Sequence, residues 1–143
     1  MPLVFQRIKT DGIAQISYFI GDDDSQTAAV IDPQPNAQVY IDLARRYGVG
    51  ITHIFETHIH ADFMSGARSL AQRLGRAEIC ASVEGGATYG FDVRGVRMAY
   101  LVASKDRPHD PWAVFTGDSL FVGSAGRPDL MGGQQTDQLA GQL

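Results

Sequence analysis

The stretch Ile51-Thr52-His53-Ile54-Phe55-Glu56-Thr57-His58-Ile59-His60-Ala61-Asp62-Phe63 decides how the chain is read. Its first half, Ile51 to Glu56, is apolar and β-branched enough for a buried strand. Its second half, Thr57 to Phe63, is a loop crowded with nitrogen and oxygen donors, and an amphipathic helix follows. Two imidazoles separated by one residue, with a carboxylate two further on, converge on one point where the backbone turns. Such a set is what a transition metal needs. Neutral imidazole suits zinc or iron, and the carboxylate suits a harder ion or serves as a base beside the metal. His58, His60 and Asp62 are therefore read as a metal loop, in preference to a polar loop that happens to hold two histidines.

Outward from this loop the chain alternates between strands and helices. Leu3-Val4-Phe5 and Ala14 to Ile20 read as two pairing strands around an Asp11-Gly12 turn, and Thr27 to Ile31 as a third. The acidic run Asp22-Asp23-Asp24 lacks the spaced donors of a calcium loop and reads as a solvated hairpin tip. Asp32-Pro33 ends the third strand, and Asp32 reads as a turn starter rather than a site residue. A helix begins near Pro35 with Asn36 as its cap. Tyr40, Leu43, Ala44 and Tyr47 share one face, and Gly48 closes the helix in the left-handed conformation. Beyond the metal loop, Ala67, Leu70, Ala71 and Leu74 repeat that spacing up to Gly75, and Ala77 to Ala81 reads as a strand. Alternation of this kind predicts a mixed α/β chain.

Composition narrows the function classes. The 143 residues suffice for one domain with a core, and 44% hydrophobic with 20% charged residues is ordinary for a globular protein. A net charge of -4 without any basic stripe argues against nucleic acid as a partner. No apolar run approaches a membrane span and no leader pattern opens the chain, so neither membrane insertion nor export is expected. The single cysteine, Cys80, excludes an internal disulfide and fits a reducing compartment, the cytoplasm.

The remaining stretches offer fewer signals. Glu84 to Gly90 is glycine-rich but has neither the phosphate-loop nor the dinucleotide pattern. Val96 to Ala103 reads as an apolar strand, Lys105 to Asp110 as a charged loop, and Trp112 to Thr116 as a buried strand. That last strand delivers Gly117-Asp118, where the glycine lets the chain turn and leaves Asp118 projecting as a metal ligand. Gly123 to Leu130 reads as a tight loop carrying Arg127, and Gln134 to Leu143 as the first turns of a helix. His53 reads as a packed strand residue, His109 as a surface residue and Cys80 as an inert buried thiol.

Together Thr57-His58-Ile59-His60-Ala61-Asp62, Phe115-Thr116-Gly117-Asp118 and Gly126-Arg127-Pro128-Asp129 resemble the metallo-β-lactamase-fold superfamily. Ile31-Asp32-Pro33 and residues 57–66 resemble most closely its persulfide dioxygenase branch, which includes members fused to rhodanese domains. The resemblance covers nearly the whole chain. It implies an αβ/βα sandwich of two sheets with helices outside, here one partial domain over 1–143, internally shortened and truncated at its C-terminal side. The family's Thr-Pro-Gly-His-Thr loop, which carries a further histidine ligand, is missing. Gly95 to Met98 resembles the strand entering that loop and Tyr100 to Val102 the strand leaving it, and here they join almost directly.

The resemblance implies one iron(II) held by His58 and Asp118, with zinc(II) as the alternative. A second metal would draw on Asp62 and the next residue, which is Phe63 and has no lone pair. His60 and Asp62 would then orient the ligands, with His60 also the available replacement donor. The implied reaction oxidises a thiol persulfide, such as glutathione persulfide, to sulfite, with Arg127 holding a carboxylate of the thiol carrier. A thioester hydrolase with Asp62 as base is the second reading, and an inactive remnant acting as a binding or structural protein the third. Apolar surface exposed by the shortening would favour a homo-oligomer or a partner such as a rhodanese-type sulfurtransferase.

Overall fold

Parallel strands placed side by side bring their following loops together, and this sets the position of the histidine loop. The computed structural model describes residues 3–60, 62–81, 99–104, 107–121 and 123–125. The chain divides into two compact units, Met1–Glu56 with His60–Cys80, and Thr57–Ile59 with Ala81–Leu143.

The first unit is a five-stranded sheet in the order β1-β2-β3-β4-β5. Its strands are β1 (Leu3–Lys9), β2 (Ile16–Asp22), β3 (Thr27–Ile31), β4 (Gly50–Phe55) and β5 (Glu78–Cys80). The first three pair antiparallel as a meander, whereas β3, β4 and β5 run parallel. The crossovers are helices α1 (Gln38–Tyr47) and α2 (Ala67–Leu74), as parallel pairing requires. Phe19, Val30, Tyr40, Ile54 and Leu70, from β2, β3, α1, β4 and α2, form a fully buried cluster. Both helices end where glycine was expected, at Gly48 (φ 67°) and Gly75 (φ 72°). Asn36 caps from one position further out, its Oδ1 accepting the Gln38 N–H at 3.2 Å.

The alternation of β4 is broken at Thr52. Ala28 pairs with Ile51 and Ala29 with His53, so Thr52 is the extra residue of a bulge. The shift lets Ile51 and Ile54 both face the core and turns His53 outward, so the expected packing of His53 is corrected: it is exposed. Its Nδ1 lies 2.9 Å from the Thr52 hydroxyl.

The second unit is described as two short ribbons. β6 (Tyr100–Ser104) pairs antiparallel with β7 (Arg107–Phe115), and β8 (Leu120–Phe121) with β9 (Ser124–Ala125). Two expectations are corrected here. Residues 107–110 belong to β7 rather than to a charged loop, accommodated by register shifts along a strand that holds Pro108 and Pro111. The strand around Trp112 is also not buried throughout. Phe115 is, whereas Leu101 and its cross-strand partner Val114 are exposed, as is Trp112 at the irregular register. The glycine-rich loop at 84–90, the first three residues of the strand expected from 96, and the expected helix at 134–143 lie outside the described residues, as does Arg127. Among the described residues no helix is long and apolar enough to cross a membrane.

Candidate functional site

Adjacent strands β3 and β4 end together because the Asp32 N–H donates to the Phe55 carbonyl at 2.8 Å. Beyond that point β4 leaves the sheet through Glu56 and Thr57, both buried, and enters the histidine loop. In open sheets with parallel strands, ligands gather at these carboxyl ends.

Within the first unit, His60 is flanked by two acids. Its Nε2 lies 3.4 Å from Asp32 Oδ1 and 3.5 Å from Glu56 Oε2. All three side chains are more than nine-tenths buried. Burial of the imidazole opposes its charge, but hydrogen bonding to the Asp32 and Glu56 carboxylates, together with their negative charge, outweighs this and pushes the pKa up to about 9. Ser65, just before α2, donates its hydroxyl to Glu56 Oε1 and accepts the Ala67 N–H. The Phe63 ring covers the imidazole with centroids 4.2 Å apart. Asp62, next to it in sequence, is exposed. Sequence reading missed Glu56 and set Asp32 aside as a turn starter, and the latter is corrected. Asp32 has φ 49°, a left-handed conformation that turns its carboxylate from the end of β3 onto His60. The one available signal was its position at a strand's carboxyl end.

Within the second unit, His58 and Asp118 come together. His58 Nε2 lies 3.5 Å from Asp118 Oδ2, and its other nitrogen is 2.9 Å from the Thr57 hydroxyl. Asp118 sits in a short 3₁₀ turn, Gly117–Ser119. Gly117 takes φ 53°, and a Cβ there would overlap the Thr57 side chain and lie 3.1 Å from His58 Nδ1. A glycine is therefore required for Asp118 to approach His58.

These spacings suit a cation. Donors on one tetrahedral ion, with bonds of about 2.0–2.2 Å, lie about 3.4 Å apart. The 3.5 Å between His58 Nε2 and Asp118 Oδ2 matches that separation and exceeds the usual hydrogen-bond length. The other candidate donors differ in character. His109 and His53 are exposed, and the Cys80 thiol is raised by burial first and by the nearby Glu78 second, which keeps it protonated.

No family model matches the chain. It is 32% identical to a hydroxyacylglutathione hydrolase from Synechococcus sp. (strain JA-2-3B'a(2-13)), over 77% of this chain and 50% of the relative. It is 25% identical to the mitochondrial persulfide dioxygenase ETHE1 of Bos taurus, over 92% of this chain and 58% of the relative. Among solved structures it matches a metallo-beta-lactamase from Staphylococcus aureus subsp. aureus COL with a TM-score of 0.81 and 30% identity, covering 98% of this chain and 49% of that one. ETHE1 from Myxococcus xanthus follows at a TM-score of 0.72 and 25% identity, covering 98% and 69%. The chain has the metallo-β-lactamase fold and belongs to that superfamily. It spans about half the length of the curated relatives it matches.

Proposed function

We propose that the chain acts as a persulfide dioxygenase-like protein, oxidising a small-molecule thiol persulfide at a single iron(II). His58 and Asp118 would hold the ion, with His60 from the same loop as the third donor. When bound, iron(II) supplies a redox centre with positions open to sulfur and dioxygen. The overall change takes persulfide, dioxygen and water to thiol and sulfite; the outer sulfur is oxidised as dioxygen is reduced. The chain's own part is to orient the donors and keep the site partly dry. Thr57 engages the far nitrogen of His58, and Phe63 lies over His60. Arg127 is assigned to a carboxylate of the thiol carrier, and a rhodanese-type sulfurtransferase is the partner class that fits a persulfide substrate.

Phe63 carries this reading. Where a two-metal hydrolase would need a donor after Asp62, this chain presents a phenyl ring packed on His60, and Asp62 points to solvent. The competing reading, a zinc thioester hydrolase with Asp62 as base, is favoured by the 32% identity to hydroxyacylglutathione hydrolase. The test loads the chain anaerobically with iron or zinc, then follows oxygen uptake and sulfite with glutathione persulfide, and thioester cleavage in parallel. Persulfide-dependent oxygen uptake supports the dioxygenase. Thioester cleavage without it establishes the hydrolase, and failure to retain either metal overturns both in favour of an inactive remnant.

A further inference from the structure

Asp32 holds its carboxylate on His60 only while its backbone stays left-handed, at φ 49°. A non-glycine residue persists in that region when its surroundings over-determine it. Here they do so on every side. The Asp32 N–H is fixed by the Phe55 carbonyl at 2.8 Å. The next carbonyl, that of Pro33, accepts the Gly66 N–H at 2.8 Å, and the Gln34 N–H donates to the Tyr40 hydroxyl at 2.7 Å. The Asp32 carbonyl itself accepts from Gln15 Nε2 at 2.6 Å.

Gln15 is a polar side chain held inside the fold. It lies just before β2, is only 5% exposed, and is far from Asp32 in sequence. Burying a carboxamide is unfavourable unless both of its ends are satisfied. Its Nε2 is satisfied by Asp32 and its Oε1 by the Thr10 hydroxyl, which lies within reach of the Gln34 side chain as well. The Thr10 N–H closes the loop on the Gln15 carbonyl at 3.1 Å. Thr10, Gln15 and Gln34 thus form a polar clasp at the Asp32 turn.

We infer that Gln15 is a positioning residue: through the Asp32 carbonyl it fixes the left-handed turn that aims the Asp32 carboxylate at His60, and so sets the donor geometry of the histidine loop. This rests on the metal-binding reading above, and the experiment separates the two. Cobalt(II) is the probe, because its visible absorption reports ligand geometry in the folded fraction alone. Gln15→Ala removes the donor. Gln15→Glu keeps the shape but sets a carboxylate oxygen against the carbonyl, and Gln15→Asn keeps the amide one methylene short.

Gln15→Ala and Gln15→Glu are expected to weaken cobalt retention about 10- to 100-fold and to change the absorption bands, with Gln15→Asn intermediate. In an Asp32→Ala background, Gln15→Ala is expected to add nothing further, because the effect passes through Asp32. A folded Gln15→Ala protein with wild-type cobalt affinity and spectrum overturns the inference, as do additive losses in the double variant. If the wild-type chain binds no cobalt, the metal reading falls by itself. The inference is then decided by the His60 ring nitrogen signals of the metal-free protein at fixed pH: a change in the Gln15 variants supports it and unchanged signals overturn it.

Discussion

His58 and His60 stand two residues apart in one loop, yet they meet different acids. His58 faces Asp118, and His60 faces Asp32 and Glu56. The first pairing was legible from residue type and context, an imidazole after one strand and a carboxylate after Gly117 at the end of another. The second was not, because nothing in a sequence marks which carboxylates a fold will bury, and Asp and Glu are seldom buried without partners. The pairings make different demands on substitution. Replacing His58 or Asp118 with alanine removes a donor, so metal retention measured by elemental analysis after gel filtration should fall by more than the roughly 10- to 100-fold that loss of a supporting residue costs. Wild-type stoichiometry in either variant would remove these residues from the site. Phe63→His tests the other side of the loop. It replaces a ring without donors by one that can bind zinc, and uptake should rise above that of the wild-type chain. Unchanged uptake would mean that Phe63 does not block a second ion.

At the level of elements, the helices were the most readable part, since a stripe at helical spacing closed by glycine leaves few alternatives. α1 and α2 end at Gly48 and Gly75 as read. β4 was legible as a strand but not its bulge, which depends on how the core accepts Ile51 and Ile54. β7 was read too short because two prolines and charged residues look like a loop when register shifts cannot be seen. Glycines at the joints give a graded test. Gly75 has φ 72° and open space around its Cβ position, so Gly75→Ala should cost about 1–2 kcal/mol from conformation alone. Gly66 has an ordinary φ of −77°, but a Cβ there would overlap the Gln34 carbonyl, a backbone atom that cannot rotate away. Gly66→Ala should therefore cost about 1–3 kcal/mol or more, and it should also disturb the Pro33 contact beside Asp32. Urea unfolding of the two variants gives the order. If Gly66→Ala proves the milder, the close approach of α2's start to the Asp32 turn is not rigid in solution.

For the molecule as a whole, the fold class was legible from alternation and a few motifs, and the solved metallo-beta-lactamase matches over 98% of the chain. Activity was less legible, because the chain is similar both to a hydroxyacylglutathione hydrolase and to a persulfide dioxygenase and spans only about half the length of each. Stability offers a readout independent of either reaction. A metal bound by the native chain but not by the unfolded one stabilises by RT ln(1 + [L]/Kd), about 2.7 kcal/mol at a hundredfold excess over Kd. Thermal unfolding of the wild-type chain should therefore shift upward with anaerobic iron(II) or zinc(II) and return on adding a chelator. The His58→Ala protein should show little of this shift, while the Cys80→Ser protein should keep it, because a raised, protonated thiol is a poor ligand. An equal shift in His58→Ala would place the ion elsewhere on the chain, and a loss confined to Cys80→Ser would make Cys80 the ligand in its stead.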